Sequence, residues 1–427
     1  MKKKFLLLGL MFLSFLIFSA RFYKDSVGDL EHDPPWFFFW WIYKYLNPPK
    51  DAYPELVRYF KEQDLNFTAP EDAEEVITCA EILAMGDLMV REAMTPQNSS
   101  ALFSDLKEEF KEADLVFANL EAPVVPDRAV SDFPRYNFRK EMVEFFKQEG
   151  IDIVSTANNH CLDQGPEGLL ATLNYLDQLG LYHTGTARSE EERDYGFPVL
   201  EAGGIKIAFL GYTFSTNSRK IPKGKPWMVN RIYFNLIDQE PDLSLIEKHI
   251  KIARERGAEV VVVSLHWSLE NEFYPPPRIV ERAHKIMEMG ADIIFGHHPH
   301  LLQPMERYLP KNSEREGLPE AFIIYSLGNL IPDQPSWQYR TTVVLKLELK
   351  KDEAGRVWID SIGVIPVYFY PGSLTGREAH LLRIERALNE PEKYNFFPKR
   401  KFKNLRKAKA LIEEIFLPTN TQEIIIP

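Results

Sequence analysis

The chain has 427 residues, of which 45% are hydrophobic and 26% are charged, and its formal net charge at pH 7 is −11. This composition is typical of a globular protein and excludes a disordered or fibrous chain. The acidic balance argues against a broad nucleic-acid-binding surface, so we expect no nucleic acid as a partner. A basic run at residues 399–409 is interpreted as a solvated helix face rather than a binding arm.

The first twenty residues predict a membrane or secretion signal. Three lysines follow Met1, and the stretch Phe5–Ala20 carries no charge. This pattern is typical of a signal peptide or an uncleaved signal anchor. As a helix the apolar stretch spans roughly 24 Å, slightly short of a bilayer core, yet Phe18 makes cleavage after Ala20 unfavourable. The lysines predict that the bulk of the chain lies outside the cytoplasm, anchored at the cell membrane or, after cleavage, secreted.

Residues 21–75 predict a connecting region rich in aromatic residues and proline. Its cluster at 34–41, two prolines followed by six aromatic residues, favours either the membrane interface or packing on the main domain. The two cysteines, Cys79 and Cys161, form no C-x-x-C motif, which excludes zinc-ribbon and thioredoxin sites. We expect two free, buried thiols, with a disulfide as the alternative.

From residue 76 onwards, short apolar runs alternate with amphipathic stretches. The runs lack polar alternation, which is typical of strands covered on both faces; they are 81–85, 114–118, 152–156, 205–210, 259–264, 292–295 and 322–325. Most of the intervening predicted helices stop at a glycine, a common C-terminal signal; they are 100–112, 140–149, 166–179, 243–256 and 279–289. Segments 341–349 and 357–365 predict an antiparallel pair, and 403–416 predicts a last helix. We therefore expect a layered α/β domain over 76–370 and a C-terminal helical extension over 371–427.

Polar side chains follow six of the predicted strands at their carboxyl ends. They are Asp87, Asn119 with Glu121, Asn158–His160 with Asp163, His266 with Glu270, His297–His300, and Asn329. Ligands of open α/β sheets bind at that end of the strands, so these residues are expected to converge. Carboxylate, amide and imidazole groups suit Mn, Fe or Zn, and a spare imidazole can act as a general acid. We predict one or two divalent ions, with direct binding of a polar substrate as the alternative.

These motifs, in order over residues 80–335, resemble the capsule-synthesis CapA family, which includes membrane-anchored proteins of poly-γ-glutamate capsule production. That family is similar in fold to calcineurin-like metallophosphoesterases, which implies a four-layer α/β/β/α sandwich with two sheets. The resemblance implies a set of metal ligands: Asp87, Glu121, Asn159, His266, His298 and His300. We predict catalytic roles for His160, Asn119 and Asp163, and substrate contacts for Asn158, His297, Glu270 and Asn329.

Two departures weaken the expectation of phosphatase activity. Metallophosphoesterases usually carry His where this chain has Met89, and Asn119 or Glu121 stands in for a bridging Asp. The implied function is an extracytoplasmic, membrane-anchored protein of capsule or poly-γ-glutamate biosynthesis or export, with a metal-dependent hydrolase-like site. Its expected partners are an anionic polymer or precursor and membrane-embedded capsule synthesis subunits. A non-catalytic polymer-binding subunit and a secreted metallophosphoesterase are the alternatives.

Overall fold

The computed structural model describes Gly28, Asp33 and residues 37–312, 315–372, 378–419 and 424–426. The predicted signal or anchor at residues 1–20 lies outside the described residues. In the described part of the chain, no helix is both long enough and apolar enough to cross a membrane.

Strands account for both central layers of the fold. In chain order they are β1 (Val76–Leu88), β2 (Leu115–Leu120), β3 (Ile153–Ser155), β4 (Tyr182–Thr184), β5 (Val199–Ala202), β6 (Ile205–Thr213), β7 (Val260–His266), β8 (Ile293–His297), β9 (Leu302–Tyr308), β10 (Ala321–Leu327), β11 (Asn329–Ile331), β12 (Thr341–Asp352), β13 (Val357–Tyr370) and β14 (His380–Arg383). One sheet has the order β14-β13-β12-β1-β2-β3-β4, with β11 also paired to β1, and the other has the order β5-β6-β7-β8-β10-β9. Strands β1 to β4 run parallel, as do β6, β7, β8 and β10. Each sheet therefore presents a row of carboxyl ends at one edge.

The helices are α1 (Phe37–Leu46), α2 (Pro54–Lys61), α3 (Pro96–Ser99), α4 (Lys107–Glu112), α5 (Lys140–Glu149), α6 (Gly165–Leu179), α7 (Glu190–Tyr195), α8 (Ser244–Glu255), α9 (Pro277–Glu288), α10 (Ile384–Asn389) and α11 (Phe402–Leu411). Their buried residues follow the helical repeat. In α8, for example, Ile246, Ile250 and Ala253 are all buried against the second sheet. Apolar residues at this spacing form one stripe along the helix, which packs against the sheet while the other side of the helix is exposed to solvent.

The two sheets pack face to face, and helices cover their outer faces. Phe117 of the first sheet and Phe295 of the second contact each other across the central core, with ring centroids 5.3 Å apart. A second core lies between the second sheet and helices α8 and α9. A third lies between the first sheet and α5. The predicted α/β/β/α sandwich is therefore confirmed.

All seven predicted apolar runs are strands, and the predicted antiparallel pair is β12–β13. The prediction of a single helix over 100–112 is wrong. Thr95 starts α3 earlier, because its side chain accepts from Asn98 N while the Asn98 side chain accepts from Thr95 N. A 3-10 turn then separates α3 from α4. The last helix begins at Phe402, close to the predicted start, and ends in a π-helical turn, Ile412–Phe416.

Both cysteines are free in the described structure, as predicted. Cys161 is buried, but the expected burial of Cys79 is wrong, because its side chain is exposed. Cys79 lies in the first part of β1, where most residues are exposed before the strand enters the sandwich.

Helix α1 packs on the main domain, which answers the open question about the aromatic cluster for the residues that are described. Its Lys44 forms a buried ion pair with Glu272, with Nζ and Oε1 3.0 Å apart. Tyr45 stacks on Tyr339, with ring centroids 5.3 Å apart. These contacts attach α1 to the segment that follows β7 and to the segment that precedes β12.

Candidate metal centre

The carboxyl ends of the two sheets bring the predicted residues to one place. Asp87 on β1 lies in register with Asn119 on β2 and Asn329 on β11. Gly86 makes this possible, because a Cβ at that position would lie 1.9 Å from the carbonyl oxygen of Gly328. In the second sheet His266 lies in register with His297.

Asp87 is the fully buried carboxylate of the first sheet. Its Oδ1 accepts hydrogen bonds from Asn119 Nδ2 at 2.8 Å and from His297 Nδ1 at 3.0 Å. Its Oδ2 accepts from the backbone N–H of His298 at 3.3 Å. Burial acts to raise the pKa of Asp87, but hydrogen bonds from His297 and His300 outweigh it and hold that pKa well below the ordinary value. Asp87 is therefore an ionised acceptor at neutral pH.

Glu121 is fully buried, and neither of its carboxylate oxygens has a hydrogen-bond partner among the residues that the structure describes. Two imidazoles lie close to it: His266 Nε2 is 3.5 Å from Oε1, and His300 Nδ1 is 3.9 Å from Oε2. Burial, followed by the negative charge of Asp87, raises the pKa of Glu121 well above its ordinary value. A buried carboxylate without a donor is costly, and a cation is the partner that relieves the cost.

Two groups of side chains have the spacing of metal ligands, and Glu121 belongs to both. One group is Glu121, His266 and His298; the other is Asp87, Glu121 and His300; within each group the ligand atoms lie within 4.8 Å of one another. Mixed carboxylate and imidazole ligands suit Mn, Fe or Zn. The residues present therefore fit a divalent metal, and Glu121 would be a ligand in either group.

The histidines have the electrostatics of a cation site. Burial lowers the pKa of His298 to about 4, so its ring is neutral at pH 7. Neither His298 ring nitrogen has a hydrogen-bond partner within the described ranges, which leaves both available as ligands. Burial also acts to lower the pKa of His300, but Glu121 and then Asp87 outweigh it and raise that pKa to about 10. The two carboxylates thus draw positive charge to this point.

The loop after β8 holds its histidines in an uncommon backbone conformation. His298 has φ 97° and His300 has φ 60°, and Ser268 and Asn271 in the loop after β7 have φ 68° and 66°. Left-handed backbone at non-glycine residues costs about 1–3 kcal/mol each and persists only where the surroundings enforce it. Such strain clusters at functional sites, which agrees with the placement of these two loops around the candidate ligands.

His160 lies in a hydrogen-bonded arrangement that fixes its ring. Its Nδ1 lies 2.7 Å from Asp163 Oδ2, which also accepts from the backbone N–H of Tyr136 at 3.0 Å. The Tyr136 ring packs edge-on against His160, with centroids 4.8 Å apart. Because Asp163 is an acceptor, Nδ1 carries the proton and Nε2 is the nitrogen that can accept one. Asn158 donates to Leu120 O at 2.8 Å and is fully buried.

The remaining predicted residues also lie at this site. Asn159 Oδ1 is 3.1 Å from His266 Nε2, and Asn329 Oδ1 is 2.9 Å from His300 Nδ1. Glu270 Oε1 lies 4.0 Å from His298 Nε2. His297 is fully buried against Asp87, a position that supports the carboxylate and does not favour the predicted substrate contact.

Three residues at the site were not found from the sequence. Trp41 of α1 donates to the Glu270 carboxylate, Tyr136 holds Asp163, and the Phe214 ring lies 4.7 Å from the His298 ring. None belongs to a polar motif at a strand end. Met89, which stands where metallophosphoesterases usually carry His, is buried in the core between the first sheet and its helices.

Residues 81–334 match the sequence profile of the family described as bacterial capsule synthesis protein PGA_cap. The chain belongs to this family. The PGA biosynthesis protein CapA of Bacillus subtilis (strain 168) is 28% identical to this chain over 287 residues, which cover 66% of this chain and 70% of that protein. The capsule biosynthesis protein CapA of Bacillus anthracis is 28% identical over 305 residues, which cover 68% and 67%. The predicted resemblance is confirmed.

Two solved structures are similar to this PGA_cap chain. The NAD nucleotidase NadN of Haemophilus influenzae aligns over 78% of this chain with a TM-score of 0.40 and 13% identity. The sulfate thiohydrolase SoxB of Thermus thermophilus aligns over 82% with a TM-score of 0.38 and 11% identity. The chain spans 60% and 61% of the lengths of these two proteins.

Proposed function

We propose that this protein acts in the biosynthesis or export of an anionic capsule polymer such as poly-γ-glutamate. Membership of the PGA_cap family and the names of the two Bacillus relatives support this proposal. The basic and apolar N-terminal sequence favours a cell-membrane location with the bulk of the chain outside the cytoplasm. There it meets the polymer or its precursor and membrane-embedded capsule synthesis subunits.

The proposed site holds one or two divalent ions of Mn, Fe or Zn. The proposed ligands are Asp87, Glu121, Asn159, His266, His298 and His300. The observation that carries the proposal is the buried Glu121 carboxylate, which is surrounded by imidazoles and has no hydrogen-bond partner in the described structure. Such an ion, when bound, polarises an acyl or phosphoryl oxygen and lowers the pKa of a bound water.

The chain's own groups perform the remaining steps of a proposed hydrolysis of the polymer or its amide-linked or phosphorylated precursor. Asp163 fixes the His160 ring through Nδ1, so that Nε2 moves the proton to or from the reacting group. Asn119 holds Asp87, and Asn329 holds His300. Glu270 lies on the His298 side of the site and is partly exposed, which favours a contact with the substrate.

Metal content of the full chain tests the site. We compare wild type, His298→Ala and a matched control, His380→Ala, after loading with Mn, Fe or Zn. His380 lies in β14, the edge strand of the first sheet, and its ring stacks on Phe396. We expect near-stoichiometric metal in wild type and control and a large loss in His298→Ala. Unchanged metal in His298→Ala, or no metal in any of the three, would leave a polar pocket without a metal centre.

Turnover tests the enzyme part of the proposal. Metal-loaded wild type is incubated with poly-γ-glutamate and, separately, with phosphomonoesters, and product release is measured. We expect His160→Gln to retain metal but to lose about 10²–10⁴-fold in rate, the usual contribution of a positioned acid or base. Equal turnover by wild type and His160→Gln would refute the acid–base role of His160. No turnover of any substrate by metal-loaded wild type would favour a polymer-binding subunit.

A further inference from the structure

Residues 214–231, between β6 and the segment leading to α8, form the most basic loop beside the candidate metal centre. This basic loop contains Arg219, Lys220, Lys223, Lys225 and Arg231 and has no acidic residue. The chain as a whole has a net charge of −11. An anion approaching this protein is therefore repelled by the average surface and attracted by this loop.

The basic loop starts against a proposed metal ligand. It follows β6 at the carboxyl end of the strand, where Phe214 N donates to the carbonyl oxygen of His266 at 3.0 Å. The Phe214 ring lies 4.7 Å from the His298 ring. The first residue of the loop is thus in contact with the site itself.

The other end of the basic loop packs beside the proposed acid–base histidine. Met228 and Val229 share a small buried cluster with Cys161 and Leu162, the two residues that directly follow His160. A β-bridge between Thr213 and Arg231 closes the loop at its base. Both ends of the basic loop therefore lie beside the candidate site, one against His298 and the other beside the residues that follow His160.

The lysines at the tip of the basic loop are presented to solvent. Lys220, Lys223 and Lys225 are exposed, and no carboxylate in the described part of the chain forms an ion pair with any of them. Other exposed lysines of this acidic protein do find partners, as Lys285 does with Glu240 at 2.7 Å. A turn in which Lys225 N donates to Pro222 O at 3.0 Å gives this tip a defined shape.

We propose that the basic loop is a binding subsite for a polyanion and holds the chain of that polymer across the candidate metal centre. The proposal rests on the proposed function, and it assigns the binding of that class of polymer to the residues of this loop. Several separate ammonium groups along one loop suit a ligand with repeated charges, because each lysine acts as a compact point charge with its own anion. The repeated anion is a carboxylate in a glutamate polymer and a phosphate in a polyphosphate, and both are tested.

The test measures binding of fluorescently labelled poly-γ-glutamate and polyphosphate to the full metal-loaded chain by fluorescence anisotropy over a range of salt concentrations. The variant is Lys220→Gln, Lys223→Gln, Lys225→Gln. The matched control, Lys111→Gln, Lys206→Gln, Lys251→Gln, removes the same charge from three exposed lysines. Lys206 lies near the start of β6, Lys111 lies on α4, which precedes β2, and Lys251 lies on α8, which precedes β7. All three are therefore towards the amino ends of the strands, away from the candidate metal centre.

We expect the loop variant to bind the glutamate polymer at least about tenfold more weakly, with a shallower salt dependence, because three favourable charge contacts are lost. The control is expected to stay within about twofold, and all three proteins are expected to hold the same metal. Tighter, loop-dependent binding of polyphosphate would support the subsite and assign it to phosphates.

Equal affinities for wild type and loop variant, or equal losses in variant and control, would overturn the subsite. Metal-loaded wild type that binds neither polymer would overturn the subsite and leave the metal centre standing. Loop-dependent binding by a protein that takes up no metal would support the subsite and overturn the hydrolase proposal.

Discussion

Replacing Glu121 with methionine tests whether this carboxylate serves to bind metal or to stabilise the fold. The carboxyl group is fully buried, and its two oxygens have no hydrogen-bond partner among the described residues. A buried polar group in that position costs about 1–3 kcal/mol, so we expect Glu121→Met to raise the free energy of unfolding by about that amount in EDTA.

With metal bound, wild type is expected to become more stable than Glu121→Met. A ligand that binds only the folded state at 100 times its dissociation constant adds about 2.7 kcal/mol. Wild type is expected to gain this stabilisation when Mn, Fe or Zn replaces EDTA, whereas Glu121→Met, which lacks a member of both ligand groups, gains little. Urea unfolding with and without metal measures both numbers.

Glu306 supplies the matched control. It is also buried, but its carboxylate accepts hydrogen bonds from Tyr325 Oη and His284 Nε2, each at 2.7 Å. Glu306→Met is therefore expected to lose about 1–3 kcal/mol in EDTA and to keep the full stabilisation by metal. A Glu121→Met protein that is destabilised in EDTA as much as Glu306→Met, or that keeps the full metal effect, would refute the reasoning.

Three other perturbations have defined outcomes. Lys44→Met leaves the buried Glu272 without its partner, so urea unfolding should show a loss of about 3–5 kcal/mol, recovered at least in part by adding Glu272→Leu; no loss in the single variant would contradict this. Burial lowers the pKa of His249 to about 4, below the ordinary value of about 6.5, so the unfolded chain takes up the proton first and stability should fall by about 3 kcal/mol between pH 6.5 and 4. His249→Gln should remove that part of the acid sensitivity, and an unchanged pH profile would count against it. Asp163→Asn should keep metal content and lower the rate by at least about tenfold with a shifted pH profile, because a neutral amide replaces the negatively charged acceptor of the His160 ring; an unaltered profile would argue against this role.

Short-range patterns in the sequence were enough to predict many of the strands and helices of this fold, whereas the arrangement in two sheets was implied by the family resemblance. The apolar runs at 259–264 and 292–295 became β7 and β8, and the glycines after α5 and α6 end those helices in left-handed conformation. Such signals are local, because a run of a few apolar residues indicates a strand covered on both faces and a single glycine indicates the end of a helix. The break between α3 and α4 was missed because the Thr95 cap competed with the predicted start at Ser100.

The candidate site was predictable for a related reason. Parallel strands put their carboxyl ends at one edge, so Asp87, Asn119 and Asn329 converge in the first sheet and His266 joins His297 in the second. Packing of the two sheets face to face then brings the two edges together. The alternating pattern indicated which residues lie at strand ends, whereas the two-sheet arrangement that brings them together was implied by the family resemblance. Residues outside strand ends, such as Trp41 and Tyr136, carry no such signal.

The sequence by itself therefore determined the class of fold, the set of polar residues at the strand ends and the family. Only the tertiary structure decided which of those side chains have partners: Glu121 is left without a described donor, while His297 is buried against Asp87. The same holds for helix α1, which packs over the site through Lys44 and Glu272. The physical reason is that hydrogen bonding and burial depend on contacts between segments that are far apart in the sequence, as Tyr45 and Tyr339 are, and no local periodicity encodes the distance between them.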